Sequence, residues 1–289
     1  MNRKGIILAG GNGTRLYPAT IGVSKQLMPI YDKPMIYYPL SVLMLAGIRE
    51  IALIIKQADL HNFQQFLGDG SQWGLSIQYI IQPSPDGLAQ AYLLAKNFLN
   101  GAPSAMVLGD NIFYGAGFSE ILLAANNESI SSVFGYEVIN PSDYGVVEFD
   151  DSNVPMAIHE KPIHSPSNVA ITGLYFLDNS ASEKALTIQA SARGELEITS
   201  LLNLYIQDKN LKIVNLGRGF SWLDTGSHNT LLEAGNFIKA QQSRQISFIG
   251  CIEEIAFTNG WISSKELEFI ADSFPSNAYG LYLKSLLHN

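Results

Sequence analysis

The first feature whose residue types could do chemistry is a glycine-rich run near the start of the chain. Gly10-Gly11-Asn12-Gly13-Thr14-Arg15-Leu16 would let backbone N–H groups approach and surround phosphate oxygens, because glycine carries no side chain to hold them off. The run lacks the Gly-Lys-Ser/Thr ending of a P-loop, and Leu16 stands where a dinucleotide fingerprint has its third glycine. Pro18 discourages the long helix that a dinucleotide site would begin. On the glycines alone, a phosphate cradle and a plain tight turn both stay open. A second candidate is Asp110, which follows the apolar run Ala105-Met106-Val107-Leu108-Gly109. That position is the carboxyl end of a buried strand, where the ligands of α/β sheets collect, although a lone Asp there also suits a turn. His61, His159, His164, His228 and His288 form no metal-spaced pair and read as surface or structural residues. Cys251 is the only cysteine, which excludes an internal disulfide and a cysteine-based zinc site and makes a reducing cytoplasm the default.

These residues need a frame. Short apolar runs at 5–9, 51–55, 77–81 and 105–108 read as buried strands, and helix-period stretches at 35–46, 60–67 and 88–99 lie between them. Tyr37-Tyr38 and the apolar stretch 43–45 belong to a core helix rather than a ligand box. The βαβα order predicts a mostly parallel sheet covered on both faces. Beyond residue 131 the strands are shorter, at 133–138, 146–149 and 171–176, followed by a helix at 198–206 and a strand at 211–214. The sheet is expected to continue there with mixed directions. From 227 onward helices dominate, at 230–241, 264–273 and 278–287. The fold class is therefore α/β, a Rossmann-like mixed sheet flanked by helices, with a core over 1–226 and a helical C-terminal segment over 227–289.

With 289 residues and 47% hydrophobic content, the chain can bury an ordinary globular core. A net charge of -8 argues against a nucleic-acid surface. The balance is uneven, since Arg3, Lys4, Arg15, Lys25 and Lys33 face only Asp32 in the opening stretch, which suits a local polyanion site. No run approaches the ~20 apolar residues of a membrane span, and the best, 35–45, is broken by Pro39. A soluble protein is expected.

The glycine loop becomes specific through its continuation. Arg15, Leu16, Pro18 and Thr20 precede Ser24-Lys25-Gln26-Leu27-Met28-Pro29, and Asp32-Lys33-Pro34 follows. This pattern resembles the sugar-nucleotide pyrophosphorylases, whose signature is a glycine-rich loop with Thr-Arg-Leu and, about ten residues on, a Lys before a Pro. Further segments carry the likeness across nearly the whole chain: 82–91, 108–115, 144–149, Glu160-Lys161-Pro162, 191–199 and Trp222-Leu223-Asp224-Thr225-Gly226. Within the family, the likeness is to members that join dTTP and glucose 1-phosphate into dTDP-glucose and pyrophosphate, supplying deoxysugar and cell-surface polysaccharide synthesis. The nearest rival is a uridylyltransferase. A nonenzymatic sensor on the same fold would have lost Arg15, Lys25, Asp110 or Asp224, and all four are present.

A sugar 1-phosphate is already an anionic nucleophile near neutral pH, because its second ionisation lies near ~6. No general base is required; one phosphate must attack another in line while charge builds on the departing pyrophosphate, which calls for cations and a metal. The resemblance implies that Arg15 and Lys25 are the catalytic cations and that Gly10, Gly11, Gly13 and Thr14 cradle the triphosphate. It places Gln26, Gln82 and Gly87 on the nucleoside, and Lys161 and Arg193 on the sugar's phosphate. From position alone, Lys161 reads as a solvated loop residue. Glu160 is nominated for the sugar hydroxyls, with Asn111, Tyr144, Gly145 and Gly173 lining the pocket, and Asp110 with Asp224 for Mg²⁺. The family further implies a homotetramer built from dimers. It also implies an effector site where subunits meet, near 113–115 and the C-terminal helices. There this chain has Ala116 and Gly117 where a His is often found, and Thr258 where relatives usually carry an Arg.

Overall fold

The computed structural model describes residues 2–274 and 277–288. Four apolar strands of the first half are parallel, and Lys4–Leu8 runs between Glu50–Ile55 and Ser104–Leu108, with Ser76–Ile81 outside Glu50–Ile55. Helix Tyr37–Leu45, which follows the first strand, buries all but its last residue. Continuous apolar sequence is what such a doubly covered layer requires.

Val169–Leu177 changes the direction of the sheet. It lies antiparallel to Ser104–Leu108 and also pairs with Ser131–Glu137 and, at Ala170, with Gly145–Phe149. Pro155–Glu160 extends the sheet beyond Gly145–Phe149, and Leu211–Asn215 adds a parallel strand to Ser131–Glu137. The result is one nine-stranded sheet, parallel in its first half and mixed in its second. The register of Val169–Leu177 slips between Ile171 and Tyr175, around Gly173. Irregularities of this kind re-aim side chains beside active sites.

A separate two-stranded ribbon pairs Asn111–Tyr114 with Ser221–Asp224, antiparallel, with Asp224 opposite Asn111. Neither strand was expected from the sequence. Several other elements depart from expectation. The helix expected at 88–99 is split into Gln90–Leu94 and Lys96–Leu99 at Ala95, whose ψ of 0° departs from helical geometry. Helices Phe118–Asn127 and Ile252–Thr258, and strand Pro155–Glu160, are additional to the expected set.

After the ribbon, Ser227 and Thr230 form a reciprocal cap that starts helix His228–Gln242. Ala234 and Ile238 of that helix pack with Ile30, Met35, Tyr38 and Ile112 in a small apolar cluster. The later helices Ile252–Thr258, Ser264–Ser273 and Ala278–Ser285 bury Ile252, Leu267 and Leu283 in the same cluster as Leu40 and Leu43 of the first half. The segment 227–289 thus shares its core with the rest, and positions 275, 276 and 289 lie outside the described residues, as does Met1 of the expected 1–226 unit. Among the described residues, no helix is long and apolar enough to cross a membrane.

Candidate active site

A cleft of about 440 Å³ opens at the carboxyl ends of the parallel strands. One side is lined by Gly11, Arg15, Gln26, Gln82, Gly87 and Asp110, the other by Tyr144, Glu160, Lys161, Gly173, Arg193 and Asp224. Gly145 and Asn111 also line it. Gly10, Gly13, Thr14 and Lys25 do not form its wall, but each belongs to an element that does.

The glycine loop leaves the first strand and enters a short 3-10 turn, Thr14–Leu16. Gly13 sits in the left-handed region at φ 61°, and its carbonyl accepts from Thr20 Oγ1 at 2.7 Å. That conformation favours glycine. Gly11 is different, because a Cβ there would meet nothing within 4 Å. The fold does not demand glycine at that position, so the open space beside its backbone is free for a ligand.

Lys25 begins a second 3-10 turn, is 7% exposed, and places Nζ 2.6 Å from Asp110 Oδ2. Asp110 is held from its other oxygen by Asn111 Nδ2 at 3.0 Å. The Asn111 amide is engaged on three sides, since its Oδ1 also accepts from Trp222 Nε1 at 2.6 Å and from the Gly173 N–H at 3.1 Å. Asn111 is therefore a brace that ties both strand ends and the slipped strand to Asp110. The ribbon pairing brings Asp224 to the same place, and Thr225 Oγ1 fastens the turn by donating to the Asp110 carbonyl at 2.9 Å. Burial raises the Asp224 carboxyl above its ordinary range and the neighbouring Asp110 adds to the rise, against the opposing pull of Lys25 and Arg15.

Two close carboxylates, one of them penalised for its charge, fit a hard divalent cation. Among the described residues no group of three or more His, Cys, Asp or Glu could hold a metal. Such an ion would thus need substrate oxygens to complete its shell, the usual arrangement for Mg²⁺.

On the side of the glycine loop, Gln82 is 5% exposed and donates Nε2 to Gln90 Oε1 at 2.7 Å. Gln90 in turn donates to Asp86 at 2.8 Å, so the loop 82–87 is cross-braced. Gly87 has φ 107°, and a Cβ there would stand 2.4 Å from the Leu196 carbonyl. Only glycine lets this loop approach the segment that leads into helix Ile198–Gln207.

The opposite side is organised around carboxylates. Arg193 Nη2 lies 2.9 Å from Glu197 Oε2 and 3.2 Å from Glu160 Oε1. Glu160 also accepts from Thr199 Oγ1 at 3.3 Å. Its carboxyl is raised chiefly by burial and next by Glu197, while Arg193 and Lys161 oppose the rise. Lys161 is exposed with φ 43°, its N–H bonded to the Tyr144 carbonyl at 2.9 Å. Tyr144 packs on Trp222 with ring centroids 5.1 Å apart. Glu197, Gln90, Trp222 and Thr199 were not singled out from the sequence. Glu197 lay inside the quoted stretch 191–199, and its spacing from Arg193 was the available signal. Ala116 and Thr258, which the resemblance tied to an effector site, are both exposed.

The cleft, the glycine loop and the paired aspartates describe an enzyme that handles a polyphosphate and a second polar substrate. Residues 4–241 match the nucleotidyl transferase family, to which the chain belongs. It is 56% identical over 285 residues to the glucose-1-phosphate thymidylyltransferase of Xanthomonas campestris pv. campestris (strain B100), covering 98% of this chain and 97% of that one. The enzymes of that name from Neisseria meningitidis and Mycobacterium tuberculosis are 54% and 47% identical, each over 98% of this chain and 99% of theirs. A crystal structure described as a glucose-1-phosphate thymidylyltransferase from Bacillus anthracis, in complex with sucrose, superposes with a TM-score of 0.74 at 34% identity over 81% of this chain and 94% of that one. Within the family, this chain falls among the glucose-1-phosphate thymidylyltransferases.

Proposed function

We propose that the chain condenses dTTP with glucose 1-phosphate, releasing pyrophosphate and forming dTDP-glucose, with Mg²⁺ bound by Asp110 and Asp224. The observation that carries the reading is the meeting of Lys25 with Asp110, and of Asp110 with Asp224, at the wall of a cleft lined by Gly11, Gly87, Gly145 and Gly173. Arg15 and Lys25 neutralise charge as it moves onto the leaving pyrophosphate, and the glycine loop holds the β- and γ-phosphates. Lys161 and Arg193 draw the sugar phosphate toward the α-phosphorus, where its oxygen attacks in line and needs no base. Bound Mg²⁺ supplies charge neutralisation and alignment of the phosphate oxygens.

Base choice follows from Gln82. With Nε2 committed to Gln90, its Oε1 is the part left to accept, which suits the N3–H of thymine or uracil and not the bare N3 of cytosine. Thymine and uracil differ by a methyl group, so dTTP is preferred to UTP by a modest margin of ~1–3 kcal/mol. The reading carries with it a cytoplasmic homotetramer built from dimers. Purified protein with glucose 1-phosphate and each of dTTP, UTP, CTP, ATP and GTP is the direct test, with pyrophosphate release monitored. Higher kcat/KM with dTTP and no activity after chelation of Mg²⁺ are expected. Equal or better use of UTP would transfer the protein to the uridylyltransferases, and activity that survives the chelator would sink the role given to the aspartates.

A further inference from the structure

Lys33, on the small antiparallel hairpin of Pro29–Ile30 and Lys33–Pro34 that follows Lys25, is a buried ammonium that phosphoryl transfer does not use. It is 3% exposed, and its Nζ lies 2.6 Å from Asp32 Oδ1 and 3.3 Å from Gln242 Oε1. The rings of Tyr38, Phe248 and Tyr279 surround it at 5.3, 5.6 and 5.7 Å from their centroids. Gln242 closes the circuit by donating Nε2 to Asp32 Oδ2 at 2.9 Å. A buried ammonium is unfavourable unless it is paired, and here an ion pair and three aromatic faces compensate it. Burial pulls its pKa down, and the Asp32 charge pulls it back.

Two strings run from this cage to the reacting groups. Immediately after Lys33-Pro34, the Met35 N–H donates to the Met28 carbonyl and the Ile36 N–H to the Gln26 carbonyl, each at 2.9 Å. The hairpin is thereby bonded to the turn Lys25–Leu27. The second string is helix His228–Gln242, whose last residue is Gln242 and whose cap, Ser227, directly follows Asp224-Thr225-Gly226. At ~1.5 Å per residue this helix spans roughly 22 Å. Its side chains Ala234 and Ile238 pack on Ile30 of the same hairpin.

We propose that Lys33 is a positioning residue for the transfer reaction. By clamping the end of helix His228–Gln242 to the hairpin, it fixes the spacing between the turn that bears Lys25 and the strand end that bears Asp224. The inference rests on the proposed function in taking those two groups to act on one reacting phosphate. Lys33 does not line the cleft and reaches the chemistry only through these two elements.

The test uses two changes. The double variant Asp32→Asn/Lys33→Met removes both charges together and leaves no unpaired ion in the interior. Gln242→Ala frees the helix end while leaving Lys33 and Asp32 intact. Each is followed by steady-state kinetics with dTTP and glucose 1-phosphate, and by thermal melts. The double variant is expected to lose kcat by about 10- to 100-fold, the scale of a misplacement on the order of an ångström. KM for both substrates should stay within about threefold, the pattern of an interaction expressed in the transition state. Gln242→Ala should lower kcat by roughly 3- to 10-fold, and adding it to the double variant should cost nothing further, because both changes cut one link. Should the double variant fail to fold, Gln242→Ala decides alone. A kcat within about twofold of wild type, losses that multiply in the combined variant, or losses equal to the unfolded fraction would each overturn the clamp. Wild-type protein runs in the same assay: failure there to make a sugar nucleotide refutes the function, whereas an active wild type with unaffected variants refutes the clamp alone.

Discussion

The two sides of the cleft are built on opposite plans. The side proposed for the nucleotide comes from consecutive parallel strands and the loops at their ends, and the cation proposed there, Lys25, rests on Asp110. The side proposed for the sugar is gathered from strands and turns far apart in the chain, and its guanidinium, Arg193, is already neutralised by Glu197 and Glu160. A triphosphate can be held by backbone N–H groups and fixed charge, which a single loop supplies. A sugar phosphate needs acceptors for hydroxyls next to a cation for phosphate, and groups of opposite sign in one small space pair with each other first. On the proposed function, the nucleotide side adds to the Lys25–Asp110 pair a loop of backbone N–H groups that need exchange no partner, whereas the sugar side must exchange an internal carboxylate of Arg193 for its ligand.

If that contrast holds, variants on the two sides fail in different ways. Arg15→Ala and Lys25→Ala should each lower kcat by ~10²–10³, the cost of losing one well-placed charge-stabilising donor, with weaker effects on glucose 1-phosphate binding. Near-normal turnover would end the role proposed for these cations. Arg193→Ala should instead raise KM for glucose 1-phosphate by roughly 10- to 100-fold, since one charge-assisted hydrogen bond contributes ~1.5–3 kcal/mol. An equal rise for dTTP would merge the two sides.

Smaller effects sharpen the contrast on the nucleotide side. The Asp224 carboxyl titrates above its ordinary range, so ionising it disfavours the folded state. That penalty is absent below the unfolded value of ~3.9, where both states are protonated, and is complete once pH exceeds the raised folded value. Asp224→Asn should accordingly raise Tm at pH 7 by about 2 °C or more, lose that gain near pH 3, and lose turnover. A lower Tm at pH 7 would mean that Lys25 and Arg15 outweigh Asp110 and burial. Gly11→Ala should do least, leaving Tm unchanged because its Cβ has open space, while raising KM for dTTP a few-fold. Unaltered nucleotide kinetics would remove Gly11 from the cradle.

The same contrast governed what could be read from residues alone. The parallel strands and helix Leu60–Leu67 follow local apolar patterns, so they were legible with small errors at their ends. The glycine loop and Lys25 were legible because their spacing is itself the signal. Asp224 could be joined to Asp110 only through family resemblance, since the pairing of Asn111–Tyr114 with Ser221–Asp224 leaves no trace in either short segment. Gln90, Glu197 and Trp222 act by holding other side chains, and no residue type advertises that role. Asn111, assigned to the sugar pocket by resemblance, has its amide engaged within the protein. Helix Phe118–Asn127 did carry a signal, with Phe118, Leu122 and Ala125 on one buried face after Gly117.

Strand Val169–Leu177, which touches three others, also sets a timetable for synthesis. Until it leaves the ribosome, the edge of Ser104–Leu108 has no partner on that side, and Ala105, Met106 and Val107 are apolar and destined for full burial. The strand is completed about 70 residues later, a delay of several seconds at the usual rate of ~5–20 residues per second. For that interval the nascent chain displays an unpaired, hydrophobic parallel edge, the kind of surface that recruits chaperones or another copy of itself. A ribosome stall between residues 108 and 177 would thus be expected to aggregate more readily than one placed after the strand, even though the glycine loop and Lys25 would already have been made.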